Sequence, residues 1–129
     1  MALYRQTLRQ AGRPGYAAAW PEMFVADSRA QAIATIRPYA EWLYQNRVAL
    51  GHDRLLPVAD RIDVPFEQVL VDRFIIGSPA ECAAEIVRYQ AAGVEELIMR
   101  CQWPGMPLTD ALQAIERFGR EVLLRFATV

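Results

Sequence analysis

Apolar residues recur at helical spacing over several stretches of this chain and form short unbroken runs between them. Leu3, Tyr4, Leu8 and Ala11 mark the first helical stretch, and Gly12-Arg13-Pro14-Gly15 ends it, because proline and glycine break helical continuation. Met23 to Ala26, within Glu-Met-Phe-Val-Ala-Asp, reads as a short buried strand. Ser28 with Gln31 forms a capping-box pattern for a helix from Arg29 to about Val48. Ala32, Ile33, Ile36, Ala40, Leu43 and Tyr44 share one side of that helix. Pro38 lies inside it and predicts a kink or a division in two. Gly51 to Pro65 shows no clear period and reads as an irregular excursion, followed by a short helix near Phe66 to Val71.

The stretch from Gly77 to Gly93 is the clearest local signal. Ser78 is placed as N-cap, Pro79 occupies the first helical position, and Glu81 completes a capping box. Ala83, Ile86, Val87 and Gln90 are expected to share a face, and Gly93 supplies a left-handed end. A strand from Val94 to Arg100 follows, and Arg73 to Gly77 reads as a further one. A last helix, from about Thr109 to Phe126, is expected to bury Leu112, Ile115, Phe118 or Gly119, Val122 and Phe126. Strands separated by helices predict parallel pairing in an α/β fold, rich in helix and with two or three strands.

Composition narrows the chemistry. With 129 residues, 53% hydrophobic and 22% charged, the chain reads as one domain able to bury a core. A net charge of −1 gives no field that would gather nucleic acid or an anionic membrane. All 14 basic residues are arginine, which removes a Schiff-base or P-loop lysine from consideration. Cys82 and Cys101 fit a reducing compartment better than a disulfide framework. The first residues lack the apolar core of a signal peptide, and no run approaches the roughly 20 apolar residues of a membrane span. A cytoplasmic protein is expected.

Most catalytic templates fail. His52 is the single histidine and sits among loop residues, so a multi-histidine metal centre within one chain is excluded and no metal is expected. Neither a nucleophile elbow nor a dinucleotide fingerprint occurs. Asp60 and Asp63 read as polar loop residues. Two places remain. Gly77 and Ser78 stand at a helix start whose free amides could receive an anion, although the capping box competes for the same donors. Arg100, Gln102 and Trp103 follow the last strand, at the end where parallel α/β sheets place their ligands. A guanidinium, a neutral amide and a flat indole would suit an aromatic, anionic or polar ligand. A loop packed against a neighbouring element fits the same residues equally well.

The segment Phe74 to Leu123, FIIGSPAECAAEIVRYQAAGVEELIMRCQWPGMPLTDALQAIERFGREVL, resembles the C-terminal end of the luciferase-like flavin-dependent oxidoreductases. Its glycine–hydroxyl–proline helix start, the Ala-Gly-Val that closes the helix, the Gln-Trp-Pro-Gly turn and the final Phe-x-x-Glu-Val occur in that family's order. Met23 to Ala32, MFVADSRAQA, is similar to its penultimate strand and following helix. The resemblance implies a (β/α)8 barrel, a flavin mononucleotide (FMN) or deazaflavin cofactor, and oxidoreduction of the monooxygenase type on a small-molecule substrate. It makes Leu3 to Ala11 helix six, Met23 to Ala26 strand seven, Val94 to Arg100 strand eight, and Thr109 to Phe126 the closing helix. Asp27 and Ser28, together with Arg100, Gln102 and Trp103, would then face the catalytic mouth.

A whole barrel takes roughly 250 residues. The chain of 129 residues therefore corresponds to the barrel's C-terminal portion, a single partial domain over 1–129 running from about helix six to helix eight. Open strand edges in such a portion invite pairing with another chain. A homo-oligomer is expected, with the isolated chain lacking a complete active site. The alternative is a non-catalytic, oligomerising α/β module.

Overall fold

The computed structural model describes residues 2–127. In chain order the elements are α1 (Ala2–Gln10), β1 (Ala18–Ala19), β2 (Glu22–Val25), α2 (Arg29–Ala49), α3 (Phe66–Val69), β3 (Phe74–Gly77), α4 (Pro79–Ala91), β4 (Glu96–Leu97) and α5 (Leu108–Glu121), with short 3-10 turns at His52–Leu55, Val58–Asp60 and Leu123–Arg125. The pairing is all parallel, as the alternation of strands and helices predicts.

The earliest strand segment lies in the middle. On one side the carbonyls of Ala17, Ala19 and Pro21 accept from Glu95 and Glu96, Ile98 and Arg100. On the other side Glu22 and Ala26 donate to Arg73 and Gly77. Pro21 has no N–H to give, which interrupts the ladder on the β4 side between the consecutive segments β1 and β2. The flanking strands are staggered: Val25 stands beside Gly77, whereas Arg100 stands beside Glu22.

The helices form much as their caps dictate. Ser28 accepts from the Gln31 amide, but the Gln31 side chain reaches back to the amide of Asp27 rather than that of Ser28. The expected box is therefore displaced by one residue. α2 runs unbroken through Pro38, so the predicted division does not occur. Both Pro38 and Ala34, whose carbonyl loses its partner, are exposed, and water can replace the missing bond. Ser78 and Glu81 complete a reciprocal capping box on α4. At the other end Gly93 at φ +84°, with Val94 donating to Tyr89 and Gly93 to Gln90, forms a Schellman end.

The core runs through β2, β3, one face of α2 and the loop after β4. On α2 Ala32, Ile36, Ala40 and Tyr44 are buried, as the spacing predicts. Two helices bury only part of the face expected: Ile86 on α4, and Phe118 and Val122 at the end of α5, are buried as predicted, and Ala83 and Phe126 pack against the core. α4 buries Cys82 and Ile86, while Val87 and Gln90 are exposed. α5 buries Ala111, Ala114 and Phe118, followed by Val122, and leaves Leu108, Leu112 and Ile115 exposed. Both sets recur at helical spacing, and the small residues allow the closer approach to β2. No helix among the described residues is long and apolar enough to cross a membrane.

Candidate functional site

The most constrained polar group is Glu22, which opens β2 and is 5% exposed. Its Oε1 accepts from the Tyr44 hydroxyl at 2.8 Å, and its Oε2 accepts from the Trp103 indole N–H. Arg100 approaches Oε1 with Nη1 at 3.6 Å, close enough for an ion pair but too far for a hydrogen bond. Nη1 of Arg100 is itself shut off from solvent without a hydrogen-bond acceptor. Helix α2, the strand β2 and the loop after β4 are thus tied through one carboxylate. Burial, with the Glu22 charge beside it, holds the Tyr44 phenol well above its ordinary range.

The predicted ligand-facing residues separate into different places. Arg100 follows the carboxyl end of β4, as expected, but stands at the amino end of β2 and β3. The stagger of β4 puts it beside Glu22, three rungs or about 10 Å short of Val25. Trp103 is not an exposed platform. It is 1% exposed, with Phe74 stacked on it at 6.2 Å and 9° and Phe24 tilted against it. The Trp103–Met106 turn explains that burial: Met106 donates to the Trp103 carbonyl, Pro104 fills the second position, and Gly105 at φ +82° takes the third, as a type II turn requires. Gln102 is exposed and donates its amide to the Met106 carbonyl, bracing the same turn.

Asp27 and Ser28 do follow the carboxyl end of β2. Asp27 is paired with Arg117 of α5 at 2.7 Å, and the Ser28 hydroxyl is held by its cap. Gly77 ends β3 and Ser78 follows it, where the Ser78 amide donates to the Glu81 carboxylate at 2.8 Å. That carboxylate occupies the place an anion would take, and it would repel one. Gly77 is required there, since its φ is +138° and a Cβ would meet Glu81 Oε2 at 2.6 Å. His52 is exposed at the start of its 3-10 turn. Among the described residues no group of three or more histidine, cysteine, aspartate or glutamate side chains could hold a metal ion.

Two concavities bear on ligand binding. A groove of about 260 Å³ beyond β2 is lined by Gln31 and Thr35 of α2 and by Asp110, Gln113 and Arg117 of α5. A larger cleft of about 460 Å³ opens at the amino end of β3, between Trp20, Glu22, Arg47, Arg73 and Arg100. Of the predicted residues only Arg100 lines it. Glu22, Trp20, Arg47 and Arg73 were missed by sequence reasoning. A glutamate directly ahead of Met-Phe-Val-Ala was the one available signal, since a carboxylate entering a buried strand must find partners.

Neither thiol is poised for chemistry. Burial pushes Cys82 up to about 12, and burial also raises Cys101. The unfolded chain ionises both near the ordinary thiol pKa of about 8.5. Stability from these groups is therefore intact below that value and falls as pH rises toward about 12 through Cys82. Urea melts at pH 7 and pH 10 should show the lower midpoint at pH 10, with Cys82→Ala reducing the difference.

No family model matches the sequence, and no curated protein does. Solved structures do match. The monooxygenase RslO1 from Streptomyces bottropensis superimposes with a TM-score of 0.70 at 18% identity, over 98% of this chain and 36% of its own. The oxygenating constituent of 3,6-diketocamphane monooxygenase from Pseudomonas putida, a type II Baeyer-Villiger monooxygenase in complex with FMN, gives 0.65 at 19% identity, over 94% and 37%. The α/β fold of this chain is that of part of these monooxygenases. It spans little more than a third of the length of each.

Proposed function

We propose that this chain belongs with the luciferase-like flavin-dependent monooxygenases and takes part in flavin-dependent oxidation of a small molecule. The observation that carries the reading is the superposition of 98% of the chain on a monooxygenase at a TM-score of 0.70. An FMN-bound relative supports a flavin, and the deazaflavin remains the second candidate. When bound, such a cofactor supplies the redox chemistry, and the protein positions and shields it.

A flavin needs an anchor for its phosphate and a face for its ring. Within one copy the residues at the strand ends do not provide both. Trp103 is covered by Phe74, the Ser78 amide is taken by Glu81, and Asp27 is paired with Arg117. The groove beyond β2 measures about 260 Å³, below the roughly 300–1,000 Å³ of ordinary small-molecule sites. No catalytic acid or base is assigned. The proposed site is completed by self-association, with a second copy closing the mouth.

The exposed Leu108, Leu112 and Ile115 stripe on α5 supports such an assembly, as does the strand β4, paired on one side only, with the exposed Ile98 just beyond it. The same stripe favours the alternative, an oligomerising module without catalysis. Leu112→Glu with Ile115→Glu should shift sedimentation velocity from an oligomer to a folded monomer. A wild-type chain that sediments as a monomer at micromolar concentration contradicts the assembly. Flavin titration of the assembled form separates the two readings.

A further inference from the structure

The cleft at the amino end of β3 has a charge pattern that its own structural role does not use up. Glu22 is paired with Arg100, and Asp72 shares Arg88 with Glu85. Arg73 gives its Nη1 and Nη2 to the carbonyls of Val69 and Asp60 and has no carboxylate partner among the described residues. Arg47 lies over the Tyr44 ring at 5.2 Å and likewise has no carboxylate partner among the described residues. Two guanidinium groups therefore line the cleft with no carboxylate ion-paired to either among the described residues, beside the orphaned Nη1 of Arg100. They outnumber the one cleft carboxylate besides Glu22, Asp72, whose partner Arg88 is shared with Glu85. Trp20 stands on the rim, 72% exposed although it interrupts a strand.

Unneutralised guanidinium groups at the wall of a concavity attract an oxyanion, and their planar forks hold carboxylate or phosphate oxygens in pairs. An exposed indole and a tyrosine edge offer a flat apolar body a surface to cover. The cleft of about 460 Å³ falls within the range of small-molecule sites. We infer that this cleft binds a small planar organic oxyanion, an aromatic carboxylate or phosphate monoester, with Arg47 and Arg73 on the anionic group and Trp20 on the ring.

This site is separate from the strand mouth and does not depend on the flavin reading. The test is calorimetric titration of the full chain, without flavin, with 2-naphthoate, 2-naphthyl phosphate and the uncharged 2-naphthamide. Saturable binding of an anion, with the amide at least about tenfold weaker, is expected. Arg47→Ala and Trp20→Ala should each weaken the anion about tenfold, because both side chains reach the surface and neither holds the core together. Trp42→Ala, on an exposed face of α2 away from the cleft, should leave binding unchanged and act as control. Thermal melts confirm that each variant is folded. Absence of binding by both anions, equal binding of the amide, or indifference to both cleft substitutions overturns the assignment. A preference for phosphate or carboxylate then identifies the source of the oxyanion.

Discussion

Replacing Glu22 with alanine is expected to remove about 3–5 kcal/mol of folding stability, the range for breaking a buried ionic network from one side. The loss comes less from the contacts removed than from the groups stranded. The Tyr44 hydroxyl and the Trp103 N–H lose their acceptor inside the core, and Arg100 keeps a charge whose Nη1 already lacks a hydrogen bond. For a chain of 129 residues the thermal midpoint should fall by about 10 °C or more. Glu22→Gln should recover part of this, since its carbonyl still accepts one donor while its NH2 faces the other. Arg100→Ala should be milder, because its side chain is 31% exposed and Glu22 retains both hydrogen bonds. The double variant Glu22→Ala with Arg100→Ala should lose less than the sum, as partners in one network do. Additive losses in that cycle would show that the pair is not coupled.

Trp103→Ala is the second large effect, also about 3–5 kcal/mol, the usual range for emptying a buried tryptophan site. The indole is stacked on Phe74, meets Phe24, and closes the Glu22 network, so truncation leaves a cavity and an orphaned carboxylate oxygen together. Trp103→Phe keeps most of the packing and loses the N–H, and should retain more than half of the stability. Urea unfolding with an unchanged slope would show that the native state and not the denatured ensemble is affected. A small stability change for Trp103→Ala would contradict the buried role and restore the reading of this ring as a ligand platform.

The secondary structure was legible where local chemistry decides it. Ser78, Pro79 and Glu81 fix the start of α4, Gly93 fixes its end, and alternating strands and helices fix parallel pairing. Which helix face is buried was not always legible. On α5 the stripe Leu108, Leu112 and Ile115 is more hydrophobic than Ala111 and Ala114, yet close approach to β2 selects the smaller residues. The same limit applies to the site. Arg100, Gln102 and Trp103 are neighbours in sequence, but the stagger of β4 and the Pro104-Gly105 turn send them to a cleft, the surface and the core respectively. The Pro104-Gly105 turn is written in its residue types, but the strand register that decides where each neighbour lands is not. Arg47 and Arg73 could not be tied to a site from the sequence, because their shared cleft is made by the end of α2 meeting the start of β3.

On the proposed function, the chain is expected to build a flavin site when it assembles. The most direct test of this claim is a fluorescence titration with FMN and with a deazaflavin coenzyme, run across chain concentrations that span assembly. Saturable binding of one of them should rise with the assembled fraction, persist in Arg47→Ala, and vanish in the Leu112→Glu, Ile115→Glu monomer. An assembled, folded chain that binds neither cofactor would contradict the claim and leave the oligomerising module as the function.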